Sequence, residues 1–148
     1  MNKPPVGAPL IVMPEKPERA DRDALLKLLA GFEAEKAGPL QVQPLAILIK
    51  DEAGATVGGL YGVSMFRWLI VESLFVPERF RGAGVGTRIM GQAEDISRTR
   101  GCIGVWLDTY SFQARGFYEK LGFSVFGQVD DHPPGEKRFF MQKRFRGA

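Results

Sequence analysis

The spacing of apolar residues changes near the middle of the chain, and this change restricts the possible folds more than any other feature. In the segment directly before Pro77 the apolar residues follow a two-residue period, which is typical of strands. From residue 85 onward they recur every three or four residues, as on one side of a helix. Gly82, Gly84 and Gly86 stand between the two patterns. The sequence therefore predicts a strand, a glycine-rich turn and a helix in direct succession.

The rest of the chain predicts a mixed α/β fold in which helices flank a central mixed sheet. The expected order is β-α-β-β-β-α-β-α-β-β. The strands are expected at residues 10–13, 45–50, 56–65, 68–76, 103–109, 123–129 and 138–143. The helices are expected at residues 20–37, 85–100 and 113–121. Because helices connect the middle strands, we expect parallel pairing at the centre of the sheet.

The length of 148 residues suits a single domain spanning residues 1–148. Residues 1–9 are rich in proline, and we expect them to be flexible. The longest apolar runs, at residues 45–49 and 68–71, are far shorter than the roughly 20 residues of a membrane-spanning helix. The N-terminus also shows no apolar leader, so we expect a cytoplasmic protein without a membrane partner.

The chain contains one cysteine, Cys102, and one histidine, His132. This excludes an internal disulfide and argues against a metal site or a Ser-His-Asp triad. We therefore expect no metal, and a chemistry based on carboxylates, hydroxyls and backbone groups. The net charge of +3 is small and the basic residues are dispersed. Binding of a phosphate-bearing small molecule explains this positive charge as well as binding of nucleic acid does. Because the basic residues are dispersed, we expect no nucleic-acid partner.

The glycine-rich turn has the chemistry of a pyrophosphate site. The first backbone N–H groups of a helix have no partner within the helix, and the helix dipole favours an anion there. Arg79 and Arg81 can add charge-assisted hydrogen bonds. Two alternatives are a turn that serves only tight packing and a dinucleotide fingerprint. The fingerprint fits poorly, because Thr87 stands where its third glycine is required.

Two segments resemble motifs of the GNAT superfamily of N-acetyltransferases. Arg81-Gly82-Ala83-Gly84-Val85-Gly86 is similar to motif A, in which Gln or Arg precedes G-x-G by three residues. Residues 111–123 are similar to motif B, N-x-x-A-x-x-x-Y-x-K-x-G-F, with Ser111 in the place often held by Asn. The resemblance implies a GNAT acyl-CoA N-acyltransferase fold. It also implies that acetyl-CoA lies in a cleft between the strands at 68–76 and 103–109, where a primary amine attacks the thioester directly.

The resemblance also implies which residues bind acetyl-CoA. The backbone N–H of Val76 would stabilise the oxyanion. The complete cofactor-binding set comprises Phe75, Val76, Arg81, Gly82, Ala83, Gly84, Val85, Gly86, Thr87, Ser111, Ala114 and Phe117.

Glu72 is the candidate general base. A primary amine has a pKa near 10, so it must lose a proton before it attacks. A carboxylate within an apolar strand is costly to bury, and such burial would raise its pKa toward the useful range. Acidic residues at this offset before motif A often deprotonate the amine in related enzymes. The alternatives are that Glu72 pairs with a nearby Lys or Arg or faces solvent.

Tyr118 is the candidate general acid, because it occupies the tyrosine position of motif B. The alternative is a core aromatic residue. His132 is either a surface residue or a contact to the substrate. Asp108 either stabilises a turn or cap or orients the amine of the substrate.

The activity expected from these residues is transfer of an acetyl group to a primary amine of a small molecule or a protein by a homodimeric enzyme. The alternative is a non-catalytic module that binds acyl-CoA as a sensor or partner.

Overall fold

The computed structural model of the protein describes residues 7–148 and divides into two compact units. One unit ends at Pro39, and the other comprises Leu40–Ala148. We expect residues 1–9 to be flexible, and residues 1–6 of this segment lie outside the described part of the chain. Among the helices of residues 7–148, none combines the length and apolar composition that crossing a membrane requires.

The unit that ends at Pro39 contains helix α1, Arg19–Ala37. Its start is capped by Glu18, whose backbone N–H donates to the Asp21 carboxylate over 2.7 Å. Gly38, with φ of 83°, ends the helix. The strand predicted at residues 10–13 is absent, and that prediction is wrong. A strand requires a hydrogen-bonded neighbour, and the prolines at both ends of this segment remove backbone donors.

The Leu40–Ala148 unit is built around a six-stranded sheet in the order β1-β2-β3-β4-β6-β5. Only β3 and β4 pair in parallel. The strands are β1 Gln43–Lys50, β2 Thr56–Met65, β3 Trp68–Phe75, β4 Gly104–Tyr110, β5 Ser124–Asp130 and β6 Lys137–Arg144. The helices are the one-turn Glu78–Phe80, α2 Val85–Thr99 and α3 Arg115–Lys120. The mixed α/β class and the parallel pair at the centre of the sheet are confirmed.

The hydrophobic core lies between one face of this sheet and helices α2 and α3. Leu69, Val71, Val105 and Leu107 alternate toward that face, and all are buried. Residues from α2 and α3 complete the same cluster. Each fully buried side chain of this size contributes about 1.5–3 kcal/mol. We call the opposite side of the sheet, which carries Trp68 and Ile70 in alternation with Leu69 and Val71, the outer face.

The parallel strands β3 and β4 separate part of the way along. Their pairing runs from Trp68↔Gly104 to Val71↔Leu107 and stops there. At the same place Glu72 is an extra residue in β3, because β2 pairs with Val71 and then with Ser73. Such a β-bulge bends its strand and disrupts the ladder. The carboxyl ends of β3 and β4 are consequently free of each other, and we call this opening the split.

Candidate active site

A cleft of about 600 Å³ lies against the carboxyl end of β3. This volume is in the range of small-molecule sites. Its walls come from β3, the glycine-rich turn, the start of α2, and the segment that leads into α3. The lining residues are Leu74, Phe75, Val76, Phe80, Arg81, Gly82, Gly84, Val85, Gly86, Thr87, Phe112, Gln113, Ala114, Phe117 and Tyr118.

Ten of the twelve residues predicted to bind the cofactor line this cleft, and Ala83 and Ser111 do not. The Ser111 hydroxyl instead donates to the Glu136 carboxylate and accepts a hydrogen bond from the Lys137 backbone N–H at 2.9 Å. Ser111 therefore fixes a loop to β6. Sequence reasoning missed four lining residues: Leu74, Phe80, Phe112 and Gln113. Phe80 directly precedes the first motif, and Phe112 and Gln113 lie within the second.

The glycine-rich turn needs its glycines for two different reasons. Gly82 and Gly84 have φ angles of 80° and 76°, a conformation that side chains rarely adopt. Gly84 is also the N-cap of α2. A Cβ on Gly86 would lie 3.2 Å from the Phe117 ring, so this glycine allows α2 and α3 to approach. The structure thus shows a requirement of backbone conformation at Gly82 and Gly84, and at Gly86 the tight packing weighed above as an alternative. Val85, Gly86 and Thr87, whose N–H groups precede the first hydrogen bond of α2, line the cleft.

Arg81 joins the glycine-rich turn to the end of β3. Its Nε donates to the Val76 carbonyl oxygen at 2.9 Å, and its guanidinium lies 5.9 Å from the centre of the Phe75 ring. The neighbouring Arg79 instead lies over Phe80, at 4.8 Å. Arg81 therefore holds the backbone directly after β3, and its terminal nitrogens make no hydrogen bond with residues 7–148.

Tyr118 reaches the cleft from α3, on the helix side of the sheet. Its side chain is only 6% exposed and packs edge-on against Phe117 and Phe123. Burial, and secondly the negative charge of Asp108, raise the pKa of the Tyr118 phenol to about 12. No hydrogen bond within residues 7–148 engages its hydroxyl, which keeps contact with the cleft. Tyr118 is thus part of the core and of the cleft, and it stays protonated at neutral pH.

Glu72 lies on the outer face, outside the cleft lining. Val71 is buried and Leu74 packs against the core, so the bulge leaves both residues between them, Glu72 and Ser73, to the opposite face. The Glu72 side chain is exposed and makes no ion pair with any residue of the described range. The burial weighed for Glu72 is therefore wrong, and its alternative of a side chain that faces solvent is observed. Alternation from the buried Val71 already places Glu72 on the outer face, and the bulge adds Ser73 to that face and turns Leu74 toward the core. The alternative of a Lys or Arg partner is not observed.

An ion pair on the outer face lies across the split from Glu72. Asp108 alternates with the buried Leu107 and Thr109. Its Oδ1 accepts a hydrogen bond from Arg138 Nε at 2.8 Å and also lies 2.8 Å from Arg138 Nη2. The ion pair raises the pKa of Arg138, first through the hydrogen bond to Asp108. The turn or cap considered for Asp108 is not its role, because it joins β4 to β6.

Stacked aromatic rings lie between this ion pair and the cleft. The Arg138 guanidinium lies 5.6 Å from the centre of the Tyr110 ring, and its Nη1 is 3.5 Å from His132 Nε2. Tyr110 stacks on Phe112 with ring centres 5.3 Å apart and planes within 4°. Phe112 lines the cleft. His132 is therefore exposed but belongs to a cluster beside the split.

Comparisons with known proteins agree with this geometry. Residues 14–123 match the model of the acetyltransferase (GNAT) family. The chain is 38% identical over 116 residues to the blasticidin-S acetyltransferase of Streptomyces morookaense. These aligned residues cover 78% of this chain and 84% of that protein.

Solved structures show the same fold. A crystal structure named for an acetyltransferase of Agrobacterium tumefaciens superposes with a TM-score of 0.86 and 30% identity over 92% of this chain and 99% of that one. An aminoglycoside 6'-N-acetyltransferase, solved in complex with coenzyme A, shares the fold with a TM-score of 0.59 and 19% identity. It covers 86% of this chain and 92% of its own.

Proposed function

This chain belongs to the GNAT family of acetyltransferases and is an acyltransferase enzyme, and from that premise we propose that it transfers an acetyl group from acetyl-CoA to a primary amine of a small molecule. The transfer takes place by direct attack while both substrates are bound. The observation that carries the proposal is the cleft at the carboxyl end of β3, which lies where β3 and β4 stop pairing and where Glu72 stands on the outer face.

The cleft residues fit coenzyme A at both of its ends. The free N–H groups of Val85, Gly86 and Thr87 at the start of α2 suit the diphosphate, together with the terminal nitrogens of Arg81. The backbone of Phe75 and Val76 lines the path from this turn to Tyr118 and suits the pantetheine chain. The Val76 N–H is then placed to donate to the oxyanion that develops on the acetyl group.

The two proton transfers are assigned to opposite sides of the sheet. Glu72, at the bulge on the outer face, accepts a proton from the ammonium group of the acceptor, directly or through water. Tyr118, on the helix side, donates a proton to the departing thiolate, for which a phenol that stays protonated at neutral pH is suited. Between these two transfers the amine nitrogen attacks the acetyl carbon through the split. As the carbon–sulfur bond then breaks, the proton that the nitrogen still has to lose restores the Tyr118 phenol.

The relatives support a small acceptor. The Streptomyces relative is named for acetylation of blasticidin-S, which is a small molecule. The homodimer and the cytoplasmic location remain predictions, and sedimentation of the purified chain tests the first of them.

Two measurements test the proposal. Calorimetry should register binding of coenzyme A, and a thiol assay should show release of coenzyme A from acetyl-CoA only when an amine is added. Glu72→Gln and Tyr118→Phe should each lower kcat by about 10²-fold or more while the Kd for coenzyme A changes little. Ser73→Ala, at the adjacent exposed position, is the matched control and should retain activity. Binding of coenzyme A without amine-dependent thiol release would favour the non-catalytic module, and full activity of both variants would refute the assigned roles.

A further inference from the structure

The outer face carries an aromatic groove that the acetyl transfer itself does not require. The groove has a volume of about 490 Å³. Its walls include five aromatic side chains and one isoleucine, and Gln142 is the only polar residue that lines it within the described part of the chain. The aromatic residues and the isoleucine are Phe66, Trp68, Ile70, Trp106, Phe126 and Phe140.

We propose that this groove binds the body of the acceptor, and that the acceptor is a primary amine with one positive charge attached to a planar aromatic group. This inference rests on the acetyl transfer proposed above and names the substrate class for it.

The groove leads to the split along two neighbouring strands. Ile70 and Trp106 are paired across β3 and β4, directly before the pairing ends. Glu72 follows Ile70 by two residues and Asp108 follows Trp106 by two, about 7 Å further along each strand. An aromatic group that lies over Ile70 and Trp106 therefore places an amine on a short linker beside Glu72, where the reaction is proposed to occur.

The charges around the groove favour a single ammonium group. Asp108 is neutralised by Arg138, which leaves Glu72 as the carboxylate beside the split without an ion-pair partner in the described chain. Among residues 7–148, no charged residue lines the groove. At its far end the Arg144 guanidinium lies 5.7 Å from the centre of the Trp68 ring. The Arg138 guanidinium likewise lies 5.4 Å from the centre of the Phe140 ring. Both cations already lie over rings of the groove and would repel a second ammonium on the acceptor, so the groove disfavours polyamines.

The walls also disfavour amino sugars. Each hydroxyl that enters the groove loses its water, and Gln142 is the one lining side chain that can replace those hydrogen bonds. A flat aromatic group loses no hydrogen bonds there and stacks on the tryptophan and phenylalanine rings.

Tryptophan fluorescence tests the location directly, because the chain has two tryptophans and both line the groove. With coenzyme A present at saturation, phenylethylamine should change the emission in a saturable titration. Glucosamine and putrescine at equal concentrations should not. A titration without any effect of phenylethylamine, or an equal effect of all three amines, would overturn the proposed site.

Kinetics test the substrate class. The kcat/KM for phenylethylamine should exceed that for glucosamine and for putrescine by at least tenfold. Trp106→Ala should raise the KM for phenylethylamine about tenfold, and should raise the KM for ethanolamine, which is too short to fill the groove, by much less. Leu48→Ala, which removes an exposed apolar side chain of β1 outside the groove, is the control and should change neither constant.

The outcomes separate the two levels of the argument. If amines are acetylated but amino sugars or polyamines are preferred, the groove assignment is wrong and acetyl transfer stands. If coenzyme A binds and none of the amines is acetylated, both are refuted.

Discussion

Tyr118 illustrates how one buried side chain links stability to chemistry. Its pKa of about 12 lies above the ordinary value of 10.0, because burial disfavours the charged phenolate. A raised pKa in the folded state means that the folded protein holds this proton more tightly than the unfolded chain does. The stabilisation is complete below pH 10 and is lost as the pH rises toward 12.

We therefore predict that the free energy of unfolding falls by about 2–3 kcal/mol between pH 10 and pH 12 on account of Tyr118. Denaturant unfolding at several pH values measures this, and ultraviolet absorbance follows the tyrosinates. Tyr118→Phe should show a correspondingly smaller fall. An identical pH dependence in the variant and the parent chain would contradict the role assigned to burial.

Arg81 is expected to act through the β3 backbone as well as on the diphosphate. Its hydrogen bond to the Val76 carbonyl positions the adjacent N–H proposed for the oxyanion. Arg81→Ala should therefore lower kcat about tenfold or more with acetyl-CoA, and also with S-acetyl-pantetheine, a donor that has no diphosphate.

Arg79→Ala is the control for this experiment, since Arg79 contacts Phe80 and makes no hydrogen bond to Val76. It should leave turnover of S-acetyl-pantetheine unchanged. If Arg81→Ala reduces turnover only with acetyl-CoA, Arg81 is a diphosphate ligand and does not position Val76.

At the scale of elements, the start of α2 depends on a left-handed residue. Gly84 is the N-cap at φ of 76°, where any side chain is strained by about 1–2 kcal/mol. Gly84→Ala should destabilise the protein by about that amount and weaken coenzyme A binding, as measured by urea unfolding and calorimetry.

Gly91, within the same helix, provides the matched substitution. A Cβ there meets no atom within 4 Å and the φ angle is ordinary, so Gly91→Ala should stabilise the protein by about 0.5–1 kcal/mol. Equal effects of the two substitutions would show that the backbone conformation at Gly84 is unimportant.

At the scale of the whole molecule, ligand binding should report on folding of the Leu40–Ala148 unit. The cleft takes residues from β3, α2 and α3, so an unfolded chain cannot assemble it. Coenzyme A at 100 times its Kd should raise the free energy of unfolding by about 2.7 kcal/mol. Thermal unfolding with and without coenzyme A measures this. An unchanged Tm at saturating coenzyme A would mean that the cleft is not its binding site.

The sequence alone was enough to predict the features that depend on neighbouring residues. Periodicity identified the strand, turn and helix around Gly82–Gly86, and the motifs identified most of the cleft lining, because these residues are close together in the chain. The strand predicted at residues 10–13 failed because apolar composition does not provide a partner strand.

Only the tertiary structure decided the features that depend on strand register. The bulge at Glu72 results from how β3 pairs with β2, and it leaves both Glu72 and Ser73 on the outer face while Leu74 turns toward the core. The Asp108–Arg138 ion pair joins residues 30 positions apart, and the aromatic groove is lined by residues from five strands and a turn. No local pattern encodes such contacts, because a shift of one residue in pairing exchanges the two faces of a strand.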